Sequence, residues 1–325
     1  MRCEVECYRL SFTAPFHVDS RGNSFYEESE SFIHSDTLSA AILSAWALLD
    51  PLDAEERAIN PPFILSSGFP FYNQSYFLPR AVSTNNAKND LQNAKKMKKI
   101  QWLEISLWHK SLISPEWVNC VDLQQGILQG SLAFEKSQHR QATEEKLWAE
   151  EERPRLAIDR ATNSAINGQL FNFNRIWFNP NGGLYFLAKF PDLKKQHGFE
   201  AALELLSDSG IGADRSNGNG FFNWQKVQNP GLNWAEPHDK AVTLSLVNPA
   251  PSDYRSSWLD NAAYKLISRG GWIGQSGLRK KRLRMFSEGS VFNQPLQGQV
   301  VDITPEGFAL NRVYRDGRGF FVKAG

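Results

Sequence analysis

The chain has 325 residues, a formal net charge of +1, 41% hydrophobic residues and 22% charged residues, with 10 Trp and 22 Phe. That length and apolar content suit one large or two medium folded domains, and near-neutrality excludes a strong global field for a polyanion. No run approaches the roughly 18 apolar residues of a membrane span, MRCEVECYRLSF lacks a signal peptide's apolar core, and Cys3, Cys7 and Cys120 lack metal-ligand spacing, so a cytoplasmic globular protein with reduced thiols, no membrane contact and no cofactor is expected.

CEVECYRLSF alternates as a first strand, with Val5, Cys7 and Leu10 or Phe12 turned inward. A polar stretch over 17–31 follows. HSDTLSAAILSAWALLDP then predicts a helix capped by Ser35 or Asp36, with Leu38, Ile42, Ala45, Trp46 and Leu49 on its buried face and Pro51 as its stop. PPFILSSGFPFYNQSYFLPRAV reads as short strands and turns. Residues 84–153, Lys-rich at KNDLQNAKKMKK and acid-rich at EEKLWAEEE, read as a partly helical insertion. Residues 154–180 predict a hairpin turning near Asn167-Gly168, followed by a further strand after a Gly-Gly turn. FEAALELLSD is a short helix burying Phe199, Ala202, Leu203 and Leu206, and FFNWQKV has strand composition. NPGLNWAEPHD marks a boundary, beyond which AVTLSLV, RMFSEGSVF, GQVVDIT and RGFFV are short strands. The recurring order of strand, helix and strands predicts an α+β protein of two related units, 1–230 and 231–325.

Charge is unevenly placed: Lys265 to Lys323 hold eleven Lys/Arg against four Asp/Glu, an excess of +7 (11 − 4). A basic end and a complementary acidic body suit one surface for a polyanion and another for a different partner.

Between helix and strand, SGIGADRSNGNGFFNW places four glycines in eleven residues. A P-loop is excluded because Asn219 stands where its lysine belongs, and a dinucleotide fingerprint because Arg215 replaces the third glycine. What is left is a loop whose glycines permit left-handed backbone and close approach. Its amides can form an anion nest, or the glycines serve a packed turn alone.

A helix, GIGADRSNGNG and a strand resemble the glycine-rich loop of the RAMP superfamily, the RRM-like proteins of CRISPR systems. FIHSDTLSAAILSAW, PRLAIDRATNSAINGQLF, RGGWIGQSGLRKKRLRMFSEGSVF and GQVVDITP…NRVYRDGRGFFV, in that order, are similar to the fourth subunit of the Csm-type (type III-A) effector. The resemblance implies two RRM-like (ferredoxin-like) folds and a projecting β-hairpin thumb. It also implies a non-catalytic role: capping the repeat-derived 5′ handle of crRNA and docking the large polymerase-like signature subunit and the first backbone RAMP subunit.

On that reading three stretches contact RNA. In the loop, Gly210, Gly212, Gly218 and Gly220 bring amides to phosphates, Arg215, Ser216 and Asn217 add donors, and Asp214 contacts RNA or holds the loop's shape. In WIGQSGLRKKRLR, Arg279, Lys280, Lys281 and Arg282 meet phosphates beside Trp272 and Gln275. In the hairpin, Arg155 and Arg160 line the guide while Leu156 and Ile158 wedge against a base. His17, Arg21, His34 and Ser35 are further candidates, the last two at a helix N-terminus open to an anion. The competing enzyme reading is a RAMP endoribonuclease processing precursor crRNA with His34 as general base or acid, for which no second catalytic residue can be assigned. G-x-S-x-G, H-E-x-x-H and paired C-x-x-C are absent.

Overall fold

The computed structural model describes all residues except 1–4, 20–25, 83–90, 124–125, 137–145, 237, 256–257, 275 and 325. Arg21 and Gln275 therefore lie outside the described residues. So do Cys3 and His139.

The strand Val5–Phe12 pairs antiparallel with Gly182–Lys189 on one side and Phe222–Val227 on the other. Phe69–Tyr72 adds beyond Gly182–Lys189, so these four run in the order fourth, first, third, second of the chain. Ser75–Pro79, Trp102–Glu104, Leu132–Ala133 and Ile127–Leu128 extend the same sheet, and Trp102–Glu104 to Leu132–Ala133 is its parallel step. The insertion thus adds three strands and two helices, Leu91–Lys99 and Ile105–Ile113, to the main body.

Two long helices, Ser35–Leu49 and Gln196–Ser209, pack against each other and the sheet. Leu38, Ile42, Ala45 and Trp46 recur at helical spacing and are buried, as are Phe199, Ala202, Leu203 and Leu206. Leu49, expected inside, is 51% exposed because it lies in the last turn, past the edge of the sheet. The expected cap also differs. His34 occupies the cap position without a side-chain cap bond. Ser35 and Asp36 lie inside the helix, where tertiary partners take their oxygens. The first strand is buried on both faces: Cys7 and Tyr8 are each fully covered, with Tyr8 stacked on Phe186 at 5.3 Å. Burial pushes the Cys7 thiol up to about 12, so it packs as a neutral side chain.

Strands Trp148–Asp159 and Ser164–Phe178 form a hairpin paired along its length. It begins six residues earlier than expected and takes in the acid-rich end of the predicted insertion. Its turn falls at 160–163, not at Asn167-Gly168, which lie within the second strand. Asp159 sets this turn by accepting from the Ala161 amide (2.9 Å) and the Thr162 hydroxyl (3.0 Å), and Asn163 takes left-handed backbone at φ 49°.

Beyond residue 230 the described residues form antiparallel pieces and no α-helix. Ala241–Thr243 lies between Val291–Phe292 and Phe321–Lys323; Leu266–Arg269 pairs with Leu283–Phe286, and Gly298–Asp302 with Tyr314–Arg318. This part is bonded to the body through Ser67 N–H to the Leu244 carbonyl (2.7 Å) and Val82 N–H to that of Gly289 (2.7 Å). One continuous core spans both, and a smaller cluster gathers Trp258, Phe286, Phe292 and Phe321. No helix among the described residues is long and apolar enough to cross a membrane.

Candidate RNA interface

The glycine loop closes onto the segment before the first helix. Ala213 N–H donates to the His17 carbonyl (2.9 Å), Gly220 N–H to that of Pro15 (2.8 Å), and Ile211 N–H to that of Gly220 (3.0 Å). Gly212 and Gly220 have φ of 96° and 82°, and a Cβ on either would run into a backbone carbonyl, that of His17 or Ile211. Asn217 and Gly218 also donate internally, so these five amides are engaged within the protein. The loop is a packed turn that lifts a crest, Arg215 to Gly218, into solvent.

Asp214 shapes the turn from within. Its carboxylate accepts from Asn217 Nδ2 (2.5 Å) and Asn219 Nδ2 (2.8 Å) and pairs with Arg155 Nη2 of the hairpin (2.5 Å). Burial alone would raise its pKa, but Arg155 and the two amides bring it below the usual aspartate value. Arg155 also lies over the Phe173 ring at 4.6 Å. A second strut is Arg175, buried at the hairpin root. It donates through Nε to Glu151 (2.9 Å) and through Nη1 to the side-chain oxygen of fully buried Asn219 (3.3 Å). Hydrogen bonds from Trp177, Arg153 and Arg175 hold the Glu151 carboxyl down at about 2. The loop, the hairpin root and His17, far apart in the sequence, thus form one site.

His17 sits inside that site. Its Nδ1–H donates to the Asn174 carbonyl (2.6 Å), its ring lies 4.7 Å from Phe173, and burial holds its pKa below the ordinary value, so it is a neutral packing group at pH 7. The outer hairpin is open: Leu156 and Ile158 are more than half exposed, Arg160 is exposed, and Leu170 stands opposite Leu156. Exposed Tyr26 and Phe171 lie 5.4 Å apart beside them. This aromatic pair and the Arg175–Glu151–Asn219 bracing escaped the sequence reading, because the polar run before the first helix gives no cue that it folds onto the hairpin.

In the C-terminal part, Trp272 and Arg279 face each other across a tight turn, with the guanidinium 4.6 Å from the indole. Both are exposed, as are Lys281 and Arg282. Lys280 is half-buried.

His34 and Ser35 are turned inward. Ser35 Oγ accepts from Leu246 N–H (2.9 Å), and the Ser35 amide donates to Ser67 Oγ (2.9 Å). His34 lies between Glu288 (2.8 Å) and Glu30 (3.2 Å). Burial alone would lower its pKa, but the Glu288 charge, with hydrogen bonds to Glu288 and Glu30, raises it to about 9. One turn on, Asp36 takes Arg269 in a two-pronged bond (3.0 and 3.1 Å) and also Arg315. Burial opposes ionisation of Asp36, yet these two guanidiniums hold its pKa well below the usual carboxylate range. The helix N-terminus is therefore a join between the two parts of the molecule. No group of three or more His, Cys, Asp or Glu side chains suited to a metal ion occurs among the described residues.

Residues 236–324 match the family of the CRISPR Csm4 C-terminal domain. The chain is 25% identical to the CRISPR system Cms protein Csm4 of Thermococcus onnurineus over 276 residues, 79% of this chain and 80% of that protein. It is 26% identical to the Csm4 of Methanocaldococcus jannaschii over 325 residues, 88% of this chain and 85% of that protein. Its fold is similar to that in the crystal structure of a Csm3–Csm4 subcomplex of the type III-A CRISPR-Cas interference complex, with TM-score 0.68 and 20% identity, covering 98% of this chain and 99% of that one. A Csm1–Csm4 cassette matches with TM-score 0.59 and 18% identity, covering 98% of each. Sequence and fold together define a protein of the Csm-type CRISPR class. Within that class the chain is Csm4-like, and residues 236–324 belong to the Csm4 C-terminal domain family.

Proposed function

We propose that this chain is a non-catalytic RNA-binding subunit of a cytoplasmic type III-A CRISPR interference complex. It caps the repeat-derived 5′ handle of crRNA and docks counterparts of Csm1, the large signature subunit, and Csm3, the backbone RAMP subunit. The observation that carries this reading is the convergence of the glycine loop, the hairpin root and the His17 segment into one braced platform on a Csm4-like chain. The platform offers a polar and basic crest (Arg215, Ser216, Asn217), an exposed apolar and aromatic edge (Leu156, Ile158, Phe171, Tyr26) and, separately, the basic run from Arg279 to Arg282. Single-stranded RNA needs these chemistries: donors and charge for phosphates, and faces for unstacked bases.

The order of the first four sheet strands supports reading 1–230 as an RRM-like unit, with the hairpin as its thumb. Residues 231–325 form the second, strand-dominated unit. The Csm3 and Csm1 partnerships are carried over from the relatives. The processing-enzyme alternative fares poorly because His34 is buried and protonated between two carboxylates, so it lacks the free lone pair a general base needs at neutral pH.

The test compares labelled RNA bearing the cognate handle with a scrambled handle, at two salt concentrations, using the chain with its large-subunit partner. Preferential, salt-sensitive binding that leaves the RNA intact is expected. Equal binding of both RNAs would remove the handle assignment, and cleavage abolished by His34→Ala would replace capping with processing.

A further inference from the structure

Seven charged side chains meet where the first long helix joins the C-terminal part. His34 lies between Glu288 and Glu30, and Asp36 between Arg269 and Arg315, with Arg269 also within electrostatic reach of Glu30 and Glu288. Lys280 completes the group. Its amide donates to the Gly271 carbonyl (2.9 Å), next to the Gly270 carbonyl that accepts from Arg315 Nη2 (2.6 Å). The Lys280 ammonium interacts with Arg315, Asp36 and Arg269.

With His34 protonated, four cations (His34, Arg269, Arg315, Lys280) face three carboxylates (Glu30, Asp36, Glu288), an excess of one (4 − 3). His34, Arg269 and Arg315 each hold a carboxylate partner. Lys280 has neither a hydrogen-bond nor an ion-pair partner for its amine among the described residues. Buried Arg315 also keeps Nε without a hydrogen-bond partner. Partial burial and the two guanidiniums push the Lys280 amine below its ordinary pKa. An unmatched cation held beside two others opposes folding unless an anion neutralises it. A phosphodiester carries the single negative charge that closes this count, and Lys280 lies in the chain between exposed Arg279 and exposed Lys281.

We propose that Lys280, framed by Arg315 and Arg269 and oriented by Asp36, is the seat of one phosphodiester of the bound RNA. This rests on the RNA-binding reading above and adds to it a single position, set apart from the surface cations by its buried frame.

The experiment measures RNA affinity against salt for the full chain and for Lys280→Met and Lys280→Arg, with melting temperatures of the unliganded proteins. The log–log salt slope should become shallower by about 0.7 in Lys280→Met, the loss of one single-strand phosphate contact, and stay near wild type in Lys280→Arg. Unliganded Lys280→Met should melt at or above the wild type, because removing the amine relieves like-charge repulsion. An unchanged slope in Lys280→Met overturns the proposal. So does a lowered melting temperature, which would make the amine a structural group. A wild-type chain with no salt-dependent RNA binding defeats the parent reading instead. The seat is then judged with inorganic phosphate at constant ionic strength: saturable stabilisation of the wild type, absent in Lys280→Met, supports it, and no stabilisation overturns it.

Discussion

The helix start at His34-Ser35-Asp36 and the loop crest at Arg215-Ser216-Asn217 have similar letters, a short polar run beside a helix end, yet face opposite ways. At the first, every polar side chain is buried and bonded across a distance of more than thirty residues, to Ser67, Leu246, Arg269, Glu288 and Arg315. At the second, the polar groups stand in solvent while the glycines and Asp214 beneath them do the packing. The lesson is that the polar letters of a motif do not say which way it faces; the partners available elsewhere in the chain decide.

Substitutions can break this contrast. Asp36→Ala leaves two buried guanidiniums without their carboxylate and should cost about 3–5 kcal/mol of stability, whereas Arg215→Ala on the crest should stay within about 0.5 kcal/mol. Urea unfolding of the two variants measures the difference, and similar losses would mean that the crest is not free. Within the loop the same contrast recurs between glycines. Gly220→Ala should cost about 1–3 kcal/mol in left-handed strain, with a further loss from displacing the Ile211 carbonyl. Gly218 has φ 80° but open space around it, so Gly218→Ala should cost about 1–2 kcal/mol. Equal midpoints for the two would contradict the packed-turn account.

Replacing Arg279, Lys281 and Arg282 together by Ala should flatten the salt slope of RNA binding by about 2, three single-strand contacts, with little change in melting temperature. The smallest effect is on pH dependence. The pKa of His34 is raised in the folded chain, so its ion pairs stabilise fully below about pH 6.5, the unfolded value, and that contribution is lost as pH rises through about 9. His34→Gln should flatten stability across this window, which denaturant midpoints taken at several pH values would reveal.

The local pattern was readable where periodicity decides it. The helices at 35–49 and 196–209, the first strand and most short C-terminal strands fall where the apolar spacing puts them. The hairpin's length and turn were not readable. The acidic run Glu150 to Glu152 looks like solvated surface until Glu151 is seen pairing with Arg175, and Asp159 sets the turn ahead of the more suggestive Asn-Gly pair. Likewise, no local pattern ties Asp36 to Arg269 and Arg315, more than two hundred residues away. Such long-range ion pairs separate buried members of a polar motif from exposed ones, so Arg215, Arg279 and Lys281 remained at the surface while His17, His34 and Ser35 did not.

The central claim is that RNA lies on the exposed crest, the outer hairpin and the basic run, and not at the helix start. Photo-crosslinking of handle RNA to the chain, with the attached peptides identified by mass spectrometry, tests it most directly. Crosslinks at 215–218, at 156–160 or Phe171, and at 272–282 are the predicted result. Crosslinks concentrated on 33–36, with none on those three segments, would contradict it.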